Sequence, residues 1–191
     1  MDADLSIELG REDPVLDFPW TDPDGRLAYF DLKRQPETLV QVEEGKHFPE
    51  LAEFLRAVNS AISTVESAKC DAWGTEELGP EEEIWGAAHK FASYVDLLFS
   101  RSDQRESFPS HERFAKRLVE LLRQTPETPS AAEVCVRRSH YAEKGETRDG
   151  FYFTIYVSGY GDDQARARQN WEIGLKLVAH AVLQLSAAGF A

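Results

Sequence analysis

An α+β fold is what this sequence predicts: a mainly antiparallel sheet covered by about four helices, closing on a C-terminal hairpin and a long helix. Two patterns and one feature of the whole chain predict it. Phe151, Phe153, Ile155 and Val157 alternate with Tyr152, Thr154, Tyr156 and Ser158, the period-two pattern of a strand packed on one face. Trp171, Leu175, Val178, Val182 and Leu185 follow at steps of four and three, so a helix over roughly 162–186 carries an apolar stripe that needs a sheet to cover it. Strands and helices otherwise come in separate runs, without the strand-helix alternation of a parallel sheet. A chain of 191 residues fits one domain, 1–191, able to bury roughly 70% of the surface its unfolded form exposes.

In chain order, Leu5, Ile7 and Leu9 alternate with Ser6 and Glu8, predicting a first strand that ends at Gly10. Residues 11–26 hold Pro14, Pro19, Pro23 and Gly25, which argue against a regular element and for a turn at Asp22-Pro23-Asp24-Gly25. Residues 26–32 and 37–44 read as two strands joined through Pro36, although Leu39, Val40 and Val42 keep poor register. Pro49-Glu50 suits a first helical turn, and Leu51, Phe54, Leu55, Val58, Ile62 and Val65 extend that helix to about Ala68. A short strand over 70–74 follows. Gly79-Pro80 with Glu81, Glu82 and Glu83 then starts a second helix, whose inner stripe is Ile84, Ala88, Phe91, Ala92, Val95, Leu98 and Phe99. Ser110 caps a third, carrying Phe114, Leu118, Leu121 and Leu122, and the two prolines of 125–130 stop it. The strand 133–141, a loop over 142–150 and the strand 151–159 complete the hairpin.

Charge bounds the partners. The net charge is -13, and its excess lies in the first half: residues 1–100 hold 22 acidic against 8 basic side chains, residues 101–191 hold 12 against 13. Nucleic-acid backbones and anionic membranes draw on Lys and Arg, so neither is an expected partner. No apolar run approaches 18 residues and the acidic N-terminus lacks a signal-peptide layout, so a soluble cytoplasmic protein is expected. Cys70 and Cys135 stand apart, outside any CxxC, and read as small buried or half-buried residues.

Few residue patterns carry chemistry. Gly159-Tyr160-Gly161 sits where a phosphate loop would, yet Asp162 and Asp163 already occupy the helix start and the third glycine is missing, so a tight turn with an Asp cap is expected. Glu82, Gly86, His89, Ser93 and Asp96 would share a helix face, but His89 and Asp96 would lie roughly 10 Å apart along the axis, too far for a triad. That face is read as solvated. His47, His111 and His180 have no partner suggested by spacing, and GxSxG is absent. Six carboxylates between Glu12 and Asp31 lack EF-hand spacing, so no metal or other cofactor is expected.

Two surfaces remain. The first is acidic: Asp13, Asp17, Asp22 and Asp24 from the first run, with Glu76, Glu77, Glu81 and Glu82 from the second, would face a basic protein partner. The second is a ligand site on the hairpin, where Tyr152 and Tyr156 share a face with either Arg138 and His140 or Arg137 and Ser139, the register being undecided. The sequence therefore predicts a non-catalytic binding protein of the inhibitor, immunity-like or adaptor kind. A small-molecule binder or enzyme using a pocket between hairpin and helices is the alternative. Catalysis is not the expectation, and homo-oligomerisation stays open.

Overall fold

The computed structural model describes residues 1–22, 24–79, 86–143 and 145–189. In chain order the elements are β1 (Asp2–Glu8), β2 (Val15–Phe18), a 3-10 turn over Pro36–Gln41, α1 (Glu43–His47), α2 (Pro49–Val58), β3 (Val65–Thr75) and β4 (His89–Phe99). There follow α3 (Ser102–Arg105), α4 (Phe108–Arg123), β5 (Ser130–Glu143), β6 (Glu146–Gly161) and α5 (Gln164–Ala187). The fold is α+β, with a six-stranded sheet in the order β1-β5-β6-β4-β3, and β2 also paired to β5. The sheet is mixed: β5-β6, β6-β4 and β4-β3 run antiparallel, while β1 and β2 lie parallel to β5.

Register fixes the two faces, because alternate side chains of a strand point to opposite sides. Phe153, Ile155 and Val157 of β6 align with Leu97, Val95 and Ser93 of β4 and with Val136, Val134 and Ala132 of β5. The apolar ones join α2, α4 and α5 in the main core, whose largest fully buried side chain, Trp171, donates its Nε1 hydrogen to Ser93 Oγ (2.8 Å). Close approach of α5 explains the paired glycines of β6: a Cβ at Gly159 would lie 2.0 Å from the Trp171 amide nitrogen, and one at Gly161 2.6 Å from that of Ala167. The glycines of 159–161 therefore belong to the strand, and the cap beyond them is Asp163, whose side chain accepts the Arg166 N–H.

Several expected elements differ. The helix expected beyond Gly79 is a strand where the chain is described, β4, with residues 80–85 outside the described residues. Both faces of β4 are buried, so its apolar residues are nearly continuous and mimic a helical stripe. Ser93 and Asp96, expected on a solvated face, are 1% and 6% exposed. The helix from Pro49 stops at Val58, where Asn59 turns its side-chain amide to the Leu55 carbonyl and the Ser67 hydroxyl; Ile62 is left exposed, and the short strand expected after it is an eleven-residue strand beginning at Val65. The strands expected over 26–32 and 37–44 do not form. Among the described residues of 19–35 the chain runs irregularly apart from a single bridge, Thr21 to Ala28, and Pro36 opens a 3-10 turn. Conversely, β2 forms inside the proline-rich stretch because β5 offers it an edge. Ser107, three residues before Ser110, caps α4, and β5 and β6 absorb most of the expected 142–150 loop.

Candidate functional site

The face of the sheet away from the helices is polar and aromatic, and half of it is covered. Leu16 and Phe18 from β2 and Trp20 just beyond it pack on Ala68, Leu98, Tyr141 and Tyr152. Three side chains pin the covering segment and the chain beside it to β3. Trp20 Nε1 donates to the Ala68 carbonyl (2.6 Å), Lys33 Nζ donates to the carbonyls of Ser63 (2.6 Å) and Val65 (2.8 Å), and Asn59 Oδ1 accepts from the Ser67 N–H (3.0 Å). Beneath the cover, Arg105 donates to Glu66 (2.9 Å), with its guanidinium against the rings of Phe18 and Tyr141. Burial pushes the Glu66 carboxyl up, against the pull of Arg105.

Between the covering segment, the α1 start and β3 lies an open cavity of about 520 Å³. Leu16, Phe30, Leu32, Leu55 and Ala68 give it apolar walls, and Trp20 and Tyr94 supply rings. Among the described residues its wall holds the acidic residues Asp17, Asp22, Glu43, Glu44 and Asp71 against one basic residue, Lys69; the Asp17 carboxylate turns to His140 on the other face of the sheet, which leaves Asp22, Glu43, Glu44 and Asp71 to set the charge. Lys69 Nζ already stands over the Trp20 ring, 5.4 Å from its centroid. Asp17 meets His140 (2.9 Å) and Glu43 meets Lys46, both exposed pairs that offset little charge. Asp22 accepts the Leu27 N–H and Asp71 the Ala72 N–H, while Glu44 has no ion-pair partner among the described residues. The field inside is negative: burial first, then Asp96, Asp71 and Glu44, push the Tyr94 phenol up, and burial with Glu44 and Asp71 does the same to the Cys70 thiol.

Beyond the cavity a polar row crosses the sheet. Arg137 Nε donates to Glu8 (2.7 Å) and its Nη1 to Thr154 Oγ1 (2.9 Å) and the Tyr156 hydroxyl (3.1 Å); Thr154 in turn donates to Asp96 Oδ1 (2.7 Å), which faces Lys69 across the β3-β4 ladder. Burial raises the Asp96 carboxyl to about 6, partly opposed by Thr154 and by Lys69. Burial alone would lower the Arg137 guanidinium, but Glu8 and Tyr156 hold it above its ordinary value.

The hairpin residues therefore divide. Arg137, Tyr152 and Tyr156 share the covered and polar face, whereas Arg138 and His140 point the other way, Arg138 to the Gly10 carbonyl and His140 to Asp17 and Asp149. Tyr152 is buried under the cover, and the donors of Arg137 are engaged by its neighbours. The acidic residues divide too. Asp17 and Asp22 line the cavity, and Asp24, in the same turn as Asp22, pairs with Arg26. Asp13 accepts from the Gly10 N–H near β2, and Glu76 and Glu77 follow the far end of β3, roughly 23 Å along the strand from Lys69. Glu81 and Glu82 lie outside the described residues. Sequence patterns missed Trp20, Glu44, Lys69 and Tyr94 and set Asp96 on a helix face; the β3-β4 pairing brings Lys69, Tyr94 and Asp96 together, and the covering segment and α1 add Trp20 and Glu44. Compared with models of protein families, with curated proteins and with solved structures, the chain matches none.

Proposed function

We propose that this protein is a non-catalytic binding protein whose acidic cavity, between the covering segment and β3, accepts a cationic group of a basic protein partner. The observation that carries this reading is the lining itself: among the described residues, the carboxylates of Asp22, Glu43, Glu44 and Asp71 against one ammonium, around apolar and aromatic walls. Such a site favours an alkylammonium or guanidinium, which gains charge attraction at its head, ring contact with Trp20 and Tyr94, and apolar cover along its stem. The same charge balance disfavours nucleic acid and anionic membrane as partners, and we place the protein's action in the cytoplasm as part of this reading. Among the described residues no helix is long and apolar enough to cross a membrane. A ligand site at Arg137 is less well supported, because its guanidinium already faces Glu8, Thr154 and Tyr156.

A labelled octalysine peptide tests the proposal by fluorescence anisotropy against the purified chain. Binding is expected at 50 mM salt, weakened about tenfold or more at 300 mM and absent for octaglutamate. The triple change Asp22→Asn, Glu44→Gln and Asp71→Asn is expected to weaken it by a further order of magnitude or so. Octalysine that fails to bind at low salt, or that binds the triple variant unchanged, would remove the cavity from consideration.

A further inference from the structure

The acidic cavity opens on a strand edge whose two halves are treated differently. β3 ends the sheet, so its outer side has no strand partner among the described residues. Along Val65–Ala68 that side is closed by Lys33, Asn59 and Trp20, and a register shift between Ser67 and Lys69 bends the ladder there. These are the devices that keep an edge from pairing. From Lys69 to Thr75 they stop. The side-chain hydrogen bonds that remain there are local, the Ala72 N–H to Asp71 and the Glu77 N–H to Thr75 Oγ1, and Asp71, Trp73 and Gly74 are exposed. The opposite edge, β1, is held by α4, with Arg123 bonding the Ala3 carbonyl and Asp4.

We infer that the Lys69–Thr75 edge of β3 is a docking edge for an extended, basic segment of a partner protein, which pairs with it as an added strand. The inference rests on the reading of the cavity as a site for a cation and specifies how the partner is held. An added strand places alternate side chains on the two faces of the sheet. On one face they fall beside Lys69, Asp71 and Trp73, so a cationic residue can pair across the strands with Asp71 while an apolar one covers Trp73, which is 39% exposed. On the other face they fall beside Cys70 and Ala72, where the α1 start brings Glu43 and Glu44 to the cavity mouth. Both faces of the docked strand therefore meet acid. Main-chain pairing supplies affinity without regard to sequence, and this charge selects basic segments from among all extended ones.

Three capped eight-residue probes test this on the intact chain: alternating Lys/Val, its Glu/Val counterpart, and the Lys/Val peptide N-methylated throughout, which keeps its charges but cannot donate to a strand. Hydrogen exchange resolved to single amides reports where each binds. The Lys/Val peptide is expected to slow exchange within 69–75 about tenfold or more, and the other two to leave it unchanged. Glu44→Gln with Asp71→Asn, changes at a half-buried and an exposed position, should weaken the Lys/Val peptide about tenfold. If the N-methylated peptide binds as well as its parent, or if the parent binds without slowing exchange in β3, strand addition is wrong while the cation site stands. If the Lys/Val peptide does not bind, both fall.

Discussion

His111 occupies the first turns of α4 with its ring centroid 4.7 Å from those of Phe99 and Phe153, fully buried. Its Nδ1 hydrogen donates to the Ser107 carbonyl (2.9 Å), while Nε2 is buried without a hydrogen bond of good geometry. Burial lowers its pKa to about 4. The folded protein thus resists a proton that the unfolded chain takes up near 6.5, so stability falls as pH drops through that interval and levels off below it. Asp96 works in the opposite sense: with its carboxyl raised to about 6, its contribution is present at low pH and lost as pH rises through that value. The change His111→Phe keeps the aromatic packing and removes the titration. Urea midpoints at pH 7 and pH 4.5 should show the wild type losing up to roughly 3 kcal/mol relative to the variant, the Asp96 term cancelling in the difference. Equal losses would mean that His111 is protonated in the fold. Neither residue is legible beforehand, because spacing along one chain gives His111 no partner and assigns Asp96 to a helix face that does not exist.

At the scale of elements, legibility followed exposure. The β5-β6 hairpin and α5 could be read because Phe151, Phe153, Ile155 and Val157 alternate cleanly and the α5 stripe repeats with helical period. β4 could not, since a strand covered on both sides loses the alternation that marks a strand; β3 was read only over 70–74, because its first residues are buried on both sides and Ile62 and Val65 happen to fall in helical phase, which overextended α2 past its end. With the start of β3 given to a helix and β4 unread, the cavity was lost too, although Asp22 in its wall was already in view. The glycines at 159 and 161 were seen as a turn, yet they set how closely α5 lies on β6. An added methyl at Gly159 would meet the backbone of Trp171 and Ala167 at 2.0 and 2.4 Å, and backbone in a packed helix has nowhere to move. Gly159→Ala should therefore cost about 4 kcal/mol or more, a drop in Tm of roughly 10 °C or beyond, or yield insoluble protein. Gly25→Ala makes the control: its φ of 69° strains any side chain, but nothing lies within 4 Å, so it should cost only about 1 kcal/mol. A calorimetric scan of both variants checks the order; equal losses would show that α5 can shift away from the sheet at little cost.

Across the whole molecule, the charge asymmetry of the chain becomes an asymmetry of position. The first hundred residues, with 22 acidic against 8 basic side chains, supply β1, β2, β3 and β4, and so both edges of the sheet; the nearly neutral remainder supplies its centre, β5 and β6, with α4 and α5 behind. Acid at both edges makes two copies of this chain repel where bare strands could otherwise pair, while leaving those edges attractive to cations. The arrangement also loads the folded state with repulsion that the expanded chain relieves. Against it stand surface ion pairs such as Arg34–Asp31 and Lys116–Glu112, each worth about 1 kcal/mol at most, and the buried Arg105–Glu66 pair, which salt screens little. With 13 net negative charges on one small body, the repulsion is the larger screened quantity. Raising NaCl from 20 to 300 mM should accordingly raise the thermal midpoint by about 2–5 °C, the reverse of its effect on binding octalysine, because one salt relieves repulsion within the molecule and screens attraction between molecules. A midpoint that falls with salt would show the surface pairs to be the stronger contribution, and the acidic edges would then be neutralised by their own neighbours and not by a partner.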